Sequence, residues 1–157
     1  MRKIFILSTC LFFYGFIDGD DQPGPAKPIE IGIASLNIEE NYTLSIYMIS
    51  EKPVSGIQLD LGPQGSFTIN SVYGGITEQN GFSLHYNESG RILAFSMEGK
   101  TIPASKSLNK EDNILFNVSF SPSSDFSINE HITIKPIFAD DKAKKMDYVS
   151  IPFQIGK

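Results

Sequence analysis

Gly81-Phe-Ser-Leu-His-Tyr-Asn-Glu-Ser-Gly-Arg-Ile-Leu-Ala-Phe-Ser-Met97 consists of two alternating apolar runs joined by a turn. In the first run Phe82, Leu84 and Tyr86 point one way and Ser83, His85 and Asn87 the other, the period of a half-buried strand. Asn87-Glu-Ser-Gly90 is a polar, glycine-ended loop of the kind that reverses a β-hairpin. In the second run, 91–97, the bulky residues Leu93, Phe95 and Met97 are assigned to the core, which leaves Ile92, Ala94 and Ser96 outside.

Outward from this hairpin the same period recurs. Ile29, Ile31 and Ile33 form the apolar face of a first strand, and Tyr42, Leu44, Ile46 and Met48 that of a second. Ile57, Leu59 and Leu61 form a third, closed by Gly62-Pro-Gln-Gly65, a turn dense in residues that fix or free φ. Phe67, Ile69 and Val72 make a fourth, which Gly74-Gly75 breaks. Downstream, Ile114, Phe116, Val118 and Phe120 alternate with Leu115, Asn117 and Ser119 in a seventh, central strand. Stretches 132–137 and 148–155 are the eighth and ninth. Pro136 and Pro152 lack an N–H to donate and are expected at edges or bulges. No stretch has the apolar spacing of an amphipathic helix. The pattern predicts an all-β fold, a nine-stranded two-sheet sandwich with jelly-roll topology.

Arg2 and Lys3 precede an apolar run from Ile4 to Ile17, and Ile17-Asp-Gly19 ends in a small residue, so 1–19 reads as a secretory signal peptide. The run is shorter than the roughly 18 residues a membrane helix needs, so no membrane span is expected. The product is expected to be secreted, extracellular or at the cell surface. The single cysteine, Cys10, lies in that segment, which leaves the exported chain no disulfide, thiol nucleophile or thiolate metal site. Residues 20–27, with Pro23, Gly24 and Pro25, suit an extended tether. Residues 28–157 are enough for one domain that buries roughly two-thirds of its unfolded surface. A formal net charge of −5 with no basic run argues against a nucleic acid or anionic membrane partner.

Catalytic groupings are scarce. His85 and His131 are the only histidines, and neither stands in a metal-binding spacing. No Gly-x-Ser-x-Gly elbow is present. The acidic pairs Glu39-Glu40, Glu111-Asp112 and Asp140-Asp141 sit in turns, where solvent holds their charge. No catalytic residue, metal ligand or cofactor is assigned, with calcium reserved for the partner or for an acidic turn. The chain has no tryptophan, which leaves Tyr47, Tyr73 and Tyr148 as rings on which a sugar could stack. Tyr47, opposite in parity to Leu44, Ile46 and Met48, is the best placed. Asn41, Asn87 and Asn117 begin N-glycosylation patterns, with Asn87 at a loop tip.

Asp60 stands outside these acidic turns. Because Ile57, Leu59 and Leu61 face the core, Gln58 and Asp60 share the opposite face of the third strand. With Ile92, Ala94 and Ser96 this makes a half-apolar, half-polar surface suited to a flat partner.

Pro53-Val-Ser-Gly-Ile-Gln-Leu-Asp-Leu61, Gly81-Phe-Ser-Leu-His-Tyr86, Arg91-Ile-Leu-Ala-Phe-Ser-Met-Glu-Gly99 and Ile114-Leu-Phe-Asn-Val-Ser-Phe120 together resemble the cohesins, across residues 29–155. The resemblance implies a jelly-roll sandwich that receives dockerin domains in secreted assemblies, with strands eight, three, six and five as the partner-binding sheet. Carried onto outward parity here, it selects Gln58, Asp60, Ser83, His85, Ala94, Ser96, Thr133 and Lys135 as partner-binding residues, with Ile92 supplying apolar contact. The turn Gly62-Pro-Gln-Gly65 departs from the family's Tyr-Asp-Pro. The expectation is a secreted, non-catalytic module that docks an extracellular protein, dockerin-like or other. Its rivals are a polysaccharide-binding module acting through Tyr47, and a surface or filament subunit assembling through sheet edges.

Overall fold

Strands this short satisfy their backbone N–H and C=O groups only through neighbours, so the fold is the set of pairings that does this while burying each apolar face. The computed structural model describes residues 26–38, 42–124, 126 and 132–153. Along the chain these form β1 (Ile29–Asn37), β2 (Thr43–Ile49), β3 (Gly56–Gly62), β4 (Phe67–Tyr73), the helix α1 (Gly75–Gln79), β5 (Ser83–Tyr86) and β6 (Arg91–Phe95). A single 3-10 turn at Glu111–Asn113 leads into β7 (Ile114–Pro122), followed by β8 (Thr133–Ala139), β9 (Lys145–Met146) and β10 (Tyr148–Ile151). The strands make two five-stranded sheets, ordered β10-β1-β2-β7-β4 and β5-β6-β3-β8-β9. Ile31, Leu44, Ile46, Leu59, Phe116, Val118 and Phe138 are fully buried between them.

The alternation read from the sequence matches the burial of β3 throughout and of β1, β2 and β7 in their core-facing residues, but Tyr47 in β2 and Leu115 in β7, both read as outward, are fully buried. In β4 a bulge between Ile69 and Ser71 inserts one residue, which is why Val72, and not Ser71, follows Ile69 into the core. Pro136 pairs with Leu59 on one side of β8, while β9 reaches only Phe138 and Ala139 on the other. Its missing N–H therefore lies along an open edge.

Two expectations are corrected. The described residues hold ten strands where nine were expected, because the turn at Asp140–Lys144 folds Lys145–Met146 back onto β8 before the chain crosses to the other sheet at Asp147. β10 then ends at Ile151, ahead of Pro152 and short of the expected 155. A helix also follows β4, too short to show a period. Gly74 and Gly75 take φ of +74° and +70°, and the Gly75 Cα abuts the Leu115 carbonyl, where a side chain has no room. Thr77, fully buried, then donates its hydroxyl to that carbonyl at 2.9 Å and pins α1 on β7.

The expected signal segment 1–19, tether residues 20–25, Asn41, the acidic pair 39–40 and His131 lie outside the described residues. Among the described residues no helix is long and apolar enough to cross a membrane.

Candidate functional site

Residues directly opposite one another in a β-ladder share a face, so the outer surface of the β5-β6-β3-β8 sheet is laid out in rows. His85, Leu93, Gln58 and Ile137 form one row across four strands. Arg91, Asp60 and Lys135 form the next, and Ser83, Phe95, Gly56 and Ala139 flank the first on its other side. Leu93 is 37 % exposed and Ile137 46 %, a pair of aliphatic side chains on either side of Gln58. The His85 ring stacks on Phe95, with centroids 5.3 Å apart and planes 14° from parallel.

Of the residues expected on this face, Gln58, Asp60, Ser83, His85, Thr133 and Lys135 lie on it, since their inward neighbours Ile57, Leu59, Phe82 and Ile134 are buried. Ile92 and Ala94 do not. Each is 1 % exposed and belongs to the core, while Leu93 and Phe95 hold the outer side and Met97, read as core-facing, is 83 % exposed in the turn beyond β6. Hairpin register decides this. Tyr86 leans toward the other sheet, donating its hydroxyl to the Asn70 carbonyl at 2.9 Å, and Ile92 is its ladder partner and must turn inward with it. Ser96 lies beyond the end of β6, its hydroxyl accepting the Glu98 N–H at 3.2 Å within a turn. The residues the sequence reading missed here are Leu93, Phe95, Arg91 and Ile137.

Asp60 is already engaged. Arg91 grips both its oxygens, Nε to Oδ1 at 2.7 Å and Nη2 to Oδ2 at 3.2 Å, a two-pronged pairing that suits the planar guanidinium. Arg91 holds the Asp60 carboxyl below the usual aspartate range, with smaller help from Gln58 and Lys135. The row therefore offers a partner two cations around one carboxylate, on a chain whose net charge is −5.

The rest of the described surface holds little that is reactive. No three His, Cys, Asp or Glu side chains converge among the described residues. In the Asp140-Asp141 turn, Asp140 Oδ1 accepts the N–H groups of Lys144 at 2.8 Å and Lys142 at 2.9 Å, which hold its carboxyl low. That oxygen closes its own turn.

Tyr47, expected as an exposed sugar platform, is fully buried on the outer side of the other sheet. Its ring lies over Gly32, where an added Cβ would come within 2.8 Å of Cε1, and Lys110 Nζ covers it at 5.0 Å from the centroid. The hydroxyl donates to Glu30 Oε1 at 2.8 Å, and burial followed by that carboxylate pushes the phenol far above its ordinary range. Tyr73 and Tyr148 are partly exposed, Tyr148 with its ring edge-on to Phe138. Asn87 is exposed, whereas Asn117 accepts a hydrogen bond from Ser45 Oγ at 2.8 Å.

No protein-family model matches the chain, and no curated protein matches it in sequence. Solved structures match it in shape. A complex of a CaDoc0917 variant with CaCohA2 at pH 5.5 aligns with a TM-score of 0.56 at 18 % identity, over 79 % of this chain and 95 % of that one. The sixth cohesin of Acetivibrio cellulolyticus scaffoldin B, in complex with a mutant Cel5 dockerin, gives 0.55 at 15 % identity over 80 % and 96 %. A non-cellulosomal cohesin from the hyperthermophilic archaeon Archaeoglobus fulgidus gives 0.55 at 14 % over 80 % and 88 %. By this similarity to solved structures, the chain has a cohesin-like fold.

Proposed function

We propose that the chain is a secreted, non-catalytic protein-binding module that docks a dockerin-like extracellular partner on the outer face of the β5-β6-β3-β8 sheet. The observation that carries this reading is the exposed aliphatic pair Leu93 and Ile137 astride Gln58, directly beside the Arg91–Asp60–Lys135 row. An apolar centre with a charged margin is the composition of a protein interface, in which the buried centre supplies affinity and the margin orientation. The reading is supported by a solved cohesin of the same fold bound to a dockerin. The partner it calls for carries an apolar patch bordered by carboxylates, and calcium, where binding uses it, belongs to the partner.

The test immobilises the full chain and exposes it to the secreted proteins of its own organism, with and without a calcium chelator. Capture is expected to fall at least tenfold in Leu93→Asp and in Ile137→Asp, which alter exposed side chains and leave the core intact. Undiminished capture by both variants refutes the assignment of this face.

A further inference from the structure

The opposite sheet presents an outer face of another chemistry. Asn37, Thr43, Ser119 and Ser71 stand opposite one another across β1, β2, β7 and β4. The adjacent row is Ser35, Ser45, Asn117 and Tyr73. A shorter row, Ser121 with Thr68, extends the face along β7 and β4. Every side chain in these rows is a hydroxyl or an amide, and none carries charge at neutral pH.

Parts of the surface are held in place by hydrogen bonds of its own. Ser45 Oγ donates to Asn117 Oδ1 at 2.8 Å, which fixes the amide plane, and Asn70 Nδ2 donates to Ser121 Oγ at 2.9 Å. Tyr73 ends its row, 44 % exposed, immediately before the Gly74-Gly75 turn into α1. Across β1, β2, β7 and β4 these rows make a platform of uncharged side chains with an aromatic ring at its β4 edge, and Glu30 and Lys110, beside Tyr47, lie outside them.

Charge and composition select the occupant. A protein partner needs an apolar centre, and these rows hold none apart from the Tyr73 ring. Nucleic acid and anionic lipid need cations, and these rows hold none. A ligand rich in hydroxyls, uncharged, and with C–H faces for a ring to cover matches both the donors and acceptors and the tyrosine. We propose that these rows, on the outer face of β1, β2, β7 and β4, bind an uncharged polysaccharide, with Tyr73 stacking on a sugar ring and Ser45, Asn117 and Ser119 hydrogen-bonding along the chain. The two faces of the sandwich then serve different ligands.

The test is affinity electrophoresis of the full chain, made in a host that adds no N-glycans so that Asn117 stays unmodified. Native gels contain hydroxyethylcellulose, xylan or glucomannan, with pectate as the charged comparator. Retardation is expected in at least one neutral gel, unchanged between about 0.05 and 0.5 M salt because no charge is engaged. Tyr73→Ala is expected to weaken it about fivefold, the scale of a lost aromatic contact. Ser119→Glu, which places charge in the middle of a row, is expected to abolish it, and Leu93→Asp on the other sheet to leave it intact. Thermal midpoints confirm that the variants fold, and Thr68→Glu, on an exposed position, repeats the charge insertion should Ser119→Glu unfold. The proposal is overturned by three results: no retardation in any neutral gel, retardation in pectate alone, or retardation that Tyr73→Ala and the charge insertion leave unchanged.

Discussion

Ile92 and Leu93 are neighbours and isomers on opposite sides of one sheet, so truncating each to alanine removes the same number of carbon atoms from two environments. Ile92 is 1 % exposed between Leu59 and Tyr86 in the ladder, and its loss leaves a cavity walled by other core residues. Full burial of those carbons is worth about 2.4 kcal/mol, and the unfilled cavity raises the cost of Ile92→Ala to about 3–4 kcal/mol. Leu93 is 37 % exposed, and water fills the space it vacates, so Leu93→Ala forfeits only about 1.5 kcal/mol and no cavity term. At about 4 °C per kcal/mol for a chain of this size, the midpoints should fall by about 14 °C and about 6 °C. Urea unfolding with an unchanged m-value, alongside thermal melts, measures both. Partner capture should show the reverse order, with Leu93→Ala weakened about tenfold and folded Ile92→Ala unaffected. Equal stability losses, or a greater loss in Leu93→Ala, refute the hairpin register and the docking face built on it.

Asp60 has a folded pKa below its unfolded value, so its contribution is present above the ordinary aspartate pKa of about 3.9 and is lost as the pH falls through the lower folded value. The thermal midpoint of the native chain should therefore drop more steeply between about pH 5 and 2 than that of Asp60→Asn, and parallel profiles contradict this. Gly32→Ala should displace the Tyr47 ring and cost about 1–3 kcal/mol in urea unfolding. Tyr47→Phe, which loses only the bond to Glu30, should cost about 1 kcal/mol; a larger loss than in Gly32→Ala argues against the steric account. Lys135→Glu should lower partner affinity about fivefold at low salt, with the difference shrinking at high salt, as titration calorimetry at two ionic strengths would reveal. A salt-independent loss points to misfolding instead.

Strand period carried most of the architecture, because β1, β2, β3 and β7 each turn an apolar residue inward at every second position, even where Gly32, Tyr47 and Leu115 on the other parity are buried as well. It failed where bulk was used as a proxy for burial. In β6 every residue from Ile92 to Phe95 is apolar, so alternation is silent, and ranking by size places Leu93 and Phe95 inside. The sequence nevertheless held the answer in the turn. Tyr86 and Ile92 are separated by a loop whose length pairs them, and assigning Tyr86 inward obliges Ile92 to follow. Ile137 was legible in the same way, by continuing the parity of Thr133 and Lys135 for one more step. The Asp60–Arg91 clasp was not legible, since it depends on a register that joins residues from different hairpins. Nor was the burial of Tyr47, which depends on Gly32 vacating space beneath it and on Lys110 arriving from a distant loop.

β1 and β10 run parallel, from Ile29 opposite Tyr148 to Gly32 opposite Ile151, and the Ile29 N–H donates to the Asp147 carbonyl at 2.8 Å. The chain thus enters the first strand at one end of this pair and leaves the last strand at the other. Tension between the two flanks drags β1 backward along β10, so the rungs of the ladder share the load in shear and are not peeled open one at a time. A module pulled in this direction resists through its rate of unfolding more than through its equilibrium stability. Under such a load the pairing that closes the sheet would have to shear as a unit.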